Sequence, residues 1–182
     1  MDTSKIKNYT DSLWTESILP TLHDYIRIPN QSPLFDNDWK ANGHMDKAIQ
    51  LAYDWVAEQK IENSTVEILQ LEDRTPTLFI EVQGEAAGTI LLYGHLDKQP
   101  PFEGWKTEEG LAPWTPVERD GKLYGRGGAD DGYAVFGSVA AIKALQDQGI
   151  PHPRLVVIIE CSEESGSPDL PFYIDEYADR IG

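Results

Sequence analysis

The stretches ILLYGHLD, residues 90–97, and LVVIIECSEE, residues 155–164, decide the predicted fold. Each begins as a continuous apolar run of strand length and ends in histidine or carboxylate side chains. Such runs are typical of central strands that helices cover on both faces. Because ligands bind beyond the carboxyl ends of strands in open α/β sheets, we expect the two polar ends at one rim of the sheet.

The segments around these two strands predict the rest of the architecture. A helical stripe from Ala134 to Leu145 separates them and ends near Gly149, so the order is strand, helix, strand, which indicates a right-handed crossover. The pattern predicts an α/β fold, a three-layer α/β/α sandwich around a mixed, mostly parallel sheet. The other predicted elements are two helical segments in residues 3–27 divided by Pro20, a helix over about 43–60, strands at Val66–Ile68 and Leu78–Val82, and a last helix with Ser167 as its N-cap and Pro168 in its first turn.

Composition excludes several classes of partner. The 182 residues include 15 basic and 31 acidic side chains, a formal net charge of −16, which repels nucleic acid and anionic lipid. No apolar run is long enough for a membrane helix, and the first residues lead into no apolar signal segment. The single cysteine, Cys161, fits a reducing compartment, so we expect a cytoplasmic protein.

The polar residues after the two strands predict a metal site. His95 and Asp97 follow the first strand, the pair Glu163-Glu164 follows the second, and Asp130-Asp131 follows a glycine-rich turn. One histidine with several carboxylates suits Zn, Co or Mn. Asp97 is expected to hold the imidazole of His95 by a hydrogen bond. One glutamate of the pair would ligate and the other would serve as general base, an assignment that the residues alone leave open.

Each of these residues also has a structural interpretation. Considered alone, His95 is interpreted as a hydrogen-bonded histidine of the core. Asp130-Asp131 is interpreted as a solvated helix N-terminus, and Glu163-Glu164 as charge on the surface. Their joint position after apolar strands favours the metal site. The turn at Gly125–Gly128 lacks the third glycine of a dinucleotide site, and no serine lies in a nucleophile elbow.

Three motifs occur in order along the chain: LYGHLDKQP at 92–100, DGKLYGRG at 120–127 with Asp130-Asp131, and EESGS at 163–167. They resemble the motifs of the M20 family of zinc metallopeptidases, the group of carnosinase-like dipeptidases, glutamate carboxypeptidase and acetylornithine deacetylase. The resemblance extends over nearly all of residues 5–182. It implies a dinuclear zinc hydrolase that cleaves amide bonds, with Co or Mn as other possible metals.

The resemblance also implies a role for each site residue. His95 would ligate one zinc, Asp130 would bridge both and Glu164 would ligate the second. Asp97 would orient His95, and Glu163 would be the general base. The family often has a cis peptide after the bridging aspartate, so the Asp130-Asp131 bond is expected to be cis.

The chain departs from the family pattern at two points. Relatives commonly carry a lysine after the paired aspartates, where this chain has Gly132. Relatives are also much longer, and supply a further acidic ligand, a lid or dimerisation domain and a late histidine ligand. We therefore expect residues 1–182 to be the N-terminal portion of a catalytic domain, with weak metal binding, an exposed sheet edge and a parent that forms a homodimer through the absent domain.

The predicted function is hydrolysis of small peptides by a dipeptidase or carboxypeptidase whose site is incomplete in this chain. A deacylase of the same family acting on N-acyl amino acids is the enzymatic alternative. The third hypothesis is an inactive fragment that acts only as an interaction module. Substrate, metal preference and oligomeric state stay open.

Overall fold

The computed structural model of the chain describes residues 2–182, which form seven α-helices and six β-strands. The helices are α1 (Thr3–Leu13), α2 (Leu19–Arg27), α3 (Trp39–Asn42), α4 (His44–Glu58), α5 (Tyr133–Gln146), α6 (Leu170–Glu176) and α7 (Ala178–Ile181). The strands are β1 (Ser64–Leu69), β2 (Thr77–Val82), β3 (Ala86–His95), β4 (Val117–Arg119), β5 (Lys122–Tyr124) and β6 (Pro153–Glu160).

Four strands form one sheet in the order β1-β2-β6-β3, and β4 pairs with β5 in a separate hairpin. β2 is antiparallel to both β1 and β6, whereas β3 is parallel to β6 from the Ile90/Leu155 pair to the His95/Glu160 pair. Three strands of the sheet therefore run in one direction, and β2 runs in the other. The predicted α/β fold with a mixed sheet is confirmed, although only one pair of neighbouring strands is parallel.

Helices cover both faces of β6, as the apolar run predicted. Leu155, Val157 and Ile159 pack on one face with the buried residues of α2, α4 and α5. Val156 and Ile158 pack on the other face with Tyr173 of α6. This alternation follows from the two-residue period of a strand, and each fully buried aliphatic side chain contributes about 1.5–3 kcal/mol.

β3 is an edge strand, which corrects the prediction that Ile90–Tyr93 forms a central buried strand. Its outer edge has no strand partner among residues 2–182, and the side chains of Ile90, Leu91 and Tyr93 are 48%, 48% and 47% exposed. An apolar run indicates that a strand suits a buried position in a sheet. It does not show which strands pair with its two edges. The expected exposed sheet edge is present here.

The N-terminal 3–27 region is helical throughout. α1 and α2 are joined by a wide π-helical turn at Trp14–Ile18. Pro20 lies in the first turn of α2, directly after the widened turn, and it has no backbone N–H to donate to the carbonyls of that turn. The predicted division of this region near Pro20 is therefore a widened helical turn, after which α2 begins.

The last helices begin later than the sequence predicted. α6 starts at Leu170 with Asp169 at its N-cap, and not at Ser167-Pro168. Ser167 has a left-handed backbone (φ 53°), and its hydroxyl donates to Glu160 Oε1 at 2.7 Å. Ser167 is therefore committed to the loop that follows β6, and cannot cap a helix.

No helix in residues 2–182 is both long and apolar enough to cross a bilayer. Cys161 is a buried free thiol next to the end of β6. Burial raises the pKa of this thiol well above its usual range, so it packs as a small apolar group.

Candidate metal centre

His95 ends β3 with its ring almost fully buried, the side chain being 6% exposed. Its Nδ1 lies 3.1 Å from the backbone oxygen of Asp97 and 3.4 Å from Asp97 Oδ1. Its Nε2 points to two other carboxylates, at 3.4 Å from Asp130 Oδ1 and 3.6 Å from Glu163 Oε2. One ring nitrogen is therefore held by the chain, while the other faces acidic groups.

Asp97 is fully buried and fixes the position of the paired glutamates. Its Oδ1 accepts a hydrogen bond from the backbone N–H of Glu163 at 3.0 Å, and its Oδ2 accepts one from that of Glu164 at 2.9 Å. The same carboxylate lies beside His95 Nδ1, so it contacts both sides of the site. Hydrogen bonds from charged or dipolar groups to a buried carboxylate are among the stronger ones in proteins.

Glu163 and Glu164 lie in a short 3₁₀ turn directly after β6. One ligand atom each of His95, Glu163 and Glu164 lies within 4.8 Å of the others. Glu164 Oε2 accepts a hydrogen bond from the Gln99 amide, whereas Glu164 Oε1 is buried without a partner. A buried oxygen with no partner fits a position that a cation would fill.

Asp130 and Asp131 lie in an irregular turn between Gly127 and α5, which the Gly132 N–H closes by donating to Gly127 O at 2.8 Å. The Asp130-Asp131 peptide bond is cis, as the resemblance implied. The Asp130 side chain is 65% exposed at the mouth of the site, and Asp131 Oδ2 accepts from the backbone N–H of His95 at 3.4 Å. The turn thus contacts the end of β3 through both of its aspartates.

The crowding of acidic groups shifts three pKa values. Burial lowers the pKa of His95, but the hydrogen bond and charge of Asp97 and the charges of Glu163 and Asp131 raise it further, to about 9. Burial, with neighbouring carboxylates, raises the pKa values of Asp131 and Glu164. The surrounding carboxylates therefore stabilise positive charge at the imidazole.

Two further residues shape the site. Gly94 leaves no space for a side chain, because a Cβ there would lie 2.5 Å from Ala134 Cβ and 2.9 Å from Asp131 Oδ2. A glycine inside an apolar strand signals such a close approach. Gln99 contacts Glu164, and nothing in the sequence pattern marked it.

A second buried carboxylate, Glu160, holds the other side of the glutamate turn. Its Oε1 accepts from the hydroxyls of Tyr93 at 2.6 Å and Ser167 at 2.7 Å, and its Oε2 accepts from Ser162 at 3.0 Å. Ser162 precedes Glu163, and Ser167 follows the turn. Glu160 was predicted only as part of the acidic cluster, and its role here is to hold both ends of the turn.

The profile of the family described as "Peptidase family M20/M25/M40" matches residues 91–180, which include all three motifs. The chain belongs to peptidase family M20. Its sequence is 36% identical to the human Beta-Ala-His dipeptidase over 111 residues, 58% of this chain and 21% of that protein. It is also 36% identical to a succinyl-diaminopimelate desuccinylase of Xylella fastidiosa over 85 residues, 46% of this chain and 22% of that protein.

The fold of this M20 chain is also that of a solved relative. The crystal structure of human carnosine dipeptidase 1 superposes with a TM-score of 0.77 at 26% identity, over 98% of this chain and 38% of that structure. The M20 chain spans less than half the length of the relatives it matches.

Proposed function

We propose that these residues are the N-terminal portion of the catalytic domain of a metal-dependent hydrolase that cleaves amide bonds of small peptides, as a dipeptidase or carboxypeptidase. The observation that carries the proposal is the convergence of His95, Glu163 and Glu164 within 4.8 Å, from the last residue of β3 and from the turn that follows the neighbouring parallel strand β6. The remaining ligands, the lid or dimerisation domain and a homodimer contact would come from sequence beyond residue 182.

The donor set fits a divalent transition metal. One imidazole nitrogen and several carboxylate oxygens suit Zn, Co or Mn, and the unpartnered Glu164 Oε1 supports a cation there. We assign His95 and Glu164 to separate zinc ions and Asp130 to both. When bound, such ions polarise a carbonyl and lower the pKa of water to about 7.

The residues of the chain perform the proton transfers and the positioning. Asp97 orients His95 through Nδ1 and holds the backbone of Glu163 and Glu164. The carboxylate of Glu163, 41% exposed, takes a proton from the attacking water as the water oxygen bonds to the amide carbon. As the C–N bond breaks, Glu163 delivers that proton to the leaving amine.

A deacylase acting on N-acyl amino acids is the second candidate, favoured by the likeness to a desuccinylase. Both reactions break an amide bond at the same residues, so they differ only in the group that flanks the carbonyl. An interaction module that binds metal weakly and hydrolyses nothing is the third. The buried free thiol of Cys161 supports the proposal of a reducing, cytoplasmic location.

Calorimetric titration with zinc tests the metal site. We expect residues 1–182 to bind zinc weakly, because few ligands are present. The zinc affinity of His95→Ala and of Asp130→Ala should be lower again by about tenfold or more. His44→Ala, at the start of α4, is the matched control and should bind like the wild type. A wild type that binds no zinc, or a His95→Ala variant that binds it equally well, would contradict the assignment.

Activity in the same samples distinguishes the two enzymatic functions. Chelator-sensitive hydrolysis of a dipeptide panel supports the peptidase and contradicts the interaction module, and hydrolysis restricted to N-acyl amino acids supports the deacylase. Zinc binding without any turnover is expected both of an interaction module and of an enzyme whose remaining ligands lie beyond residue 182.

A further inference from the structure

Lys98 is a fully buried lysine that directly follows Asp97. Its Nζ donates to the backbone oxygens of Tyr25 and Ile28, each at 2.7 Å. No carboxylate within residues 2–182 lies in ion-pair range of this amine, and burial lowers the pKa of Lys98 to about 6. Burial of an amine without a neighbouring anion lowers the free energy of unfolding. We therefore asked what Lys98 contributes to the structure.

The two carbonyls that accept from Lys98 lie at the end of α2: Tyr25 O, which also accepts from the Ile28 N–H at 3.0 Å, and the carbonyl of Ile28, the C-cap residue. Lys98 therefore caps a helix that is distant in sequence. Its Nζ also lies 3.8 Å from the centre of the Tyr25 ring, and the Tyr25 hydroxyl donates to Leu96 O at 2.6 Å. α2 is thus joined at two points to the loop that carries His95 and Asp97.

The stem of Lys98 lies flat against Gly127, the residue that opens the aspartate turn. A Cβ at Gly127 would lie 2.5 Å from Lys98 Cε and 2.8 Å from both Cδ and Cγ. Gly127 has φ 86° and accepts the hydrogen bond that closes the turn around Asp130. The position of the lysine stem therefore sets how closely this turn approaches the loop after β3.

Gly132, at the far end of the same turn, has no space for a side chain. A Cβ there would lie 2.2 Å from Tyr25 Cε1 and 2.7 Å from Gly127 O. The Tyr25 ring fills the volume that a lysine at position 132 would need, and Lys98 reaches that ring from the opposite loop. Gly132, which stands where relatives commonly carry a lysine, and the buried Lys98 therefore both pack against the ring of Tyr25.

We propose that Lys98 is a positioning residue of the metal centre, which fixes the separation between the His95–Asp97 loop and the Gly127–Asp131 turn. The proposal rests on the metal site proposed above. Lys98 acts through Gly127 and α2, because its amine donates to the carbonyls of Tyr25 and Ile28 and its stem lies against Gly127.

Lys98→Met tests this role, because methionine keeps an unbranched apolar stem and removes the amine. We expect about tenfold weaker binding of Co²⁺ and an altered visible spectrum of the bound ion, since residues that orient ligands have effects of this size. Lys98→Gln retains an N–H₂ donor and should bind Co²⁺ more tightly than Lys98→Met. Lys5→Met, at an exposed lysine of α1, is the matched control and should bind like the wild type.

A metal-free measurement separates this proposal from the proposed function. Hydrogen exchange of the Gly132 amide, whose bond closes the aspartate turn, should become about tenfold faster in Lys98→Met and stay unchanged in Lys5→Met. Faster exchange in a chain that binds no metal would leave the positioning role intact and contradict the metal site. Unchanged exchange together with unchanged Co²⁺ affinity in folded Lys98→Met would overturn the positioning role, and so would a Lys98→Gln variant that binds Co²⁺ no more tightly than Lys98→Met.

Discussion

Gly94 is the residue at which the end of β3 meets α5 and the aspartate turn most closely. Substituting alanine places a methyl group 2.5 Å from Ala134 Cβ. We expect Gly94→Ala to destabilise the chain by about 1–3 kcal/mol, because a packed interior accommodates added volume only by strain. The free energy of unfolding in urea measures this change.

Gly137 supplies the matched control within α5. A Cβ there meets only Tyr133 Cδ2, at 3.9 Å, and the residue lies inside the helix. Gly137→Ala should therefore stabilise the chain by about 0.5–1 kcal/mol. Equal effects of the two substitutions would show that Gly94 is not held against its neighbours as the structure has it.

Asp97 accepts two backbone hydrogen bonds with its two carboxylate oxygens. In Asp97→Asn the amide N–H₂ replaces one acceptor and faces a backbone N–H, so one buried donor loses its partner. We expect a loss of about 1–3 kcal/mol in the free energy of unfolding, measured by chemical denaturation. Asp175→Asn, at an exposed position of α6, should change it by less than about 0.5 kcal/mol, and an equally small effect at Asp97 would disprove the buried network.

Individual residues differ in how far the sequence predicted them. His95, Asp97 and Glu163-Glu164 follow apolar strands, so their position at one rim followed from the pattern. Lys98 and Gln99 sit in the same motif, but their partners Tyr25 and Glu164 are distant in sequence. Contacts between remote segments leave no periodic signal, so these two roles became visible only in the structure.

At the scale of elements, the ion-pair network of Glu81 on β2 joins the sheet to α7. Glu81 Oε1 accepts from Arg154 of β6 at 2.7 Å, and Glu81 Oε2 lies 3.4 Å from the guanidinium of Arg180. Partial burial raises the pKa of Glu81, but the hydrogen bonds and charges of Arg154 and Arg180 outweigh this and lower it below its usual value. The network therefore links β2, β6 and α7 only while the carboxylate of Glu81 is ionised.

A lowered pKa in the folded state stabilises the protein above the usual glutamate pKa of about 4.3, and this contribution is lost as the pH falls through the lowered value. The melting temperature of Glu81→Gln should lie below that of the wild type at pH 7, and the gap should narrow towards pH 3. Glu58→Gln, at an exposed position of α4, should show no gap at either pH. A gap that widens in acid would contradict the network.

The exposed edge of β3 predicts self-association. Unpaired strand edges with apolar side chains are templates for pairing with another chain. Leu91→Lys should reduce concentration-dependent association in sedimentation velocity, because a charge at the edge opposes pairing. Leu34→Lys replaces another exposed leucine, 67% accessible in a loop, and should leave association unchanged. An equal reduction by both variants would mean that general charge, and not the edge, is responsible.

The two apolar runs show what a pattern predicts about an element. Leu155–Ile159 is the central strand that its sequence indicated, covered on both faces. Ile90–Tyr93 has the same composition but lies at the edge. Composition indicates the environment that a strand suits, while strand order depends on neighbours that are distant in the chain. The edge position of Ile90–Tyr93 within residues 2–182 was therefore not evident from its own sequence.

At the scale of the whole molecule, acidic charge dominates. The formal net charge of −16 is spread over a chain of 182 residues, and five of its carboxylates are concentrated at the site: Asp97, Asp130, Asp131, Glu163 and Glu164. Like charges destabilise the compact state.

Salt should therefore stabilise this chain. Raising sodium chloride from about 0.01 to 0.5 M shortens the screening length from about 30 Å to a few ångström, which weakens repulsion. We expect the melting temperature to rise over this range in calorimetry. Potassium chloride should act equally, because screening depends on ionic strength alone. A falling melting temperature would show that attractive ion pairs outweigh the net charge.

The pairing of β3 with β6 determines when the metal centre forms during synthesis. His95 lies opposite Glu160, and the glutamates that it faces follow β6 directly. When the ribosome has released the chain only up to α5, neither the strand that aligns β3 nor two of the acidic groups has emerged. His95 can therefore face the paired glutamates only after residues 153–164 have emerged and docked, so this part of the candidate site assembles late in synthesis.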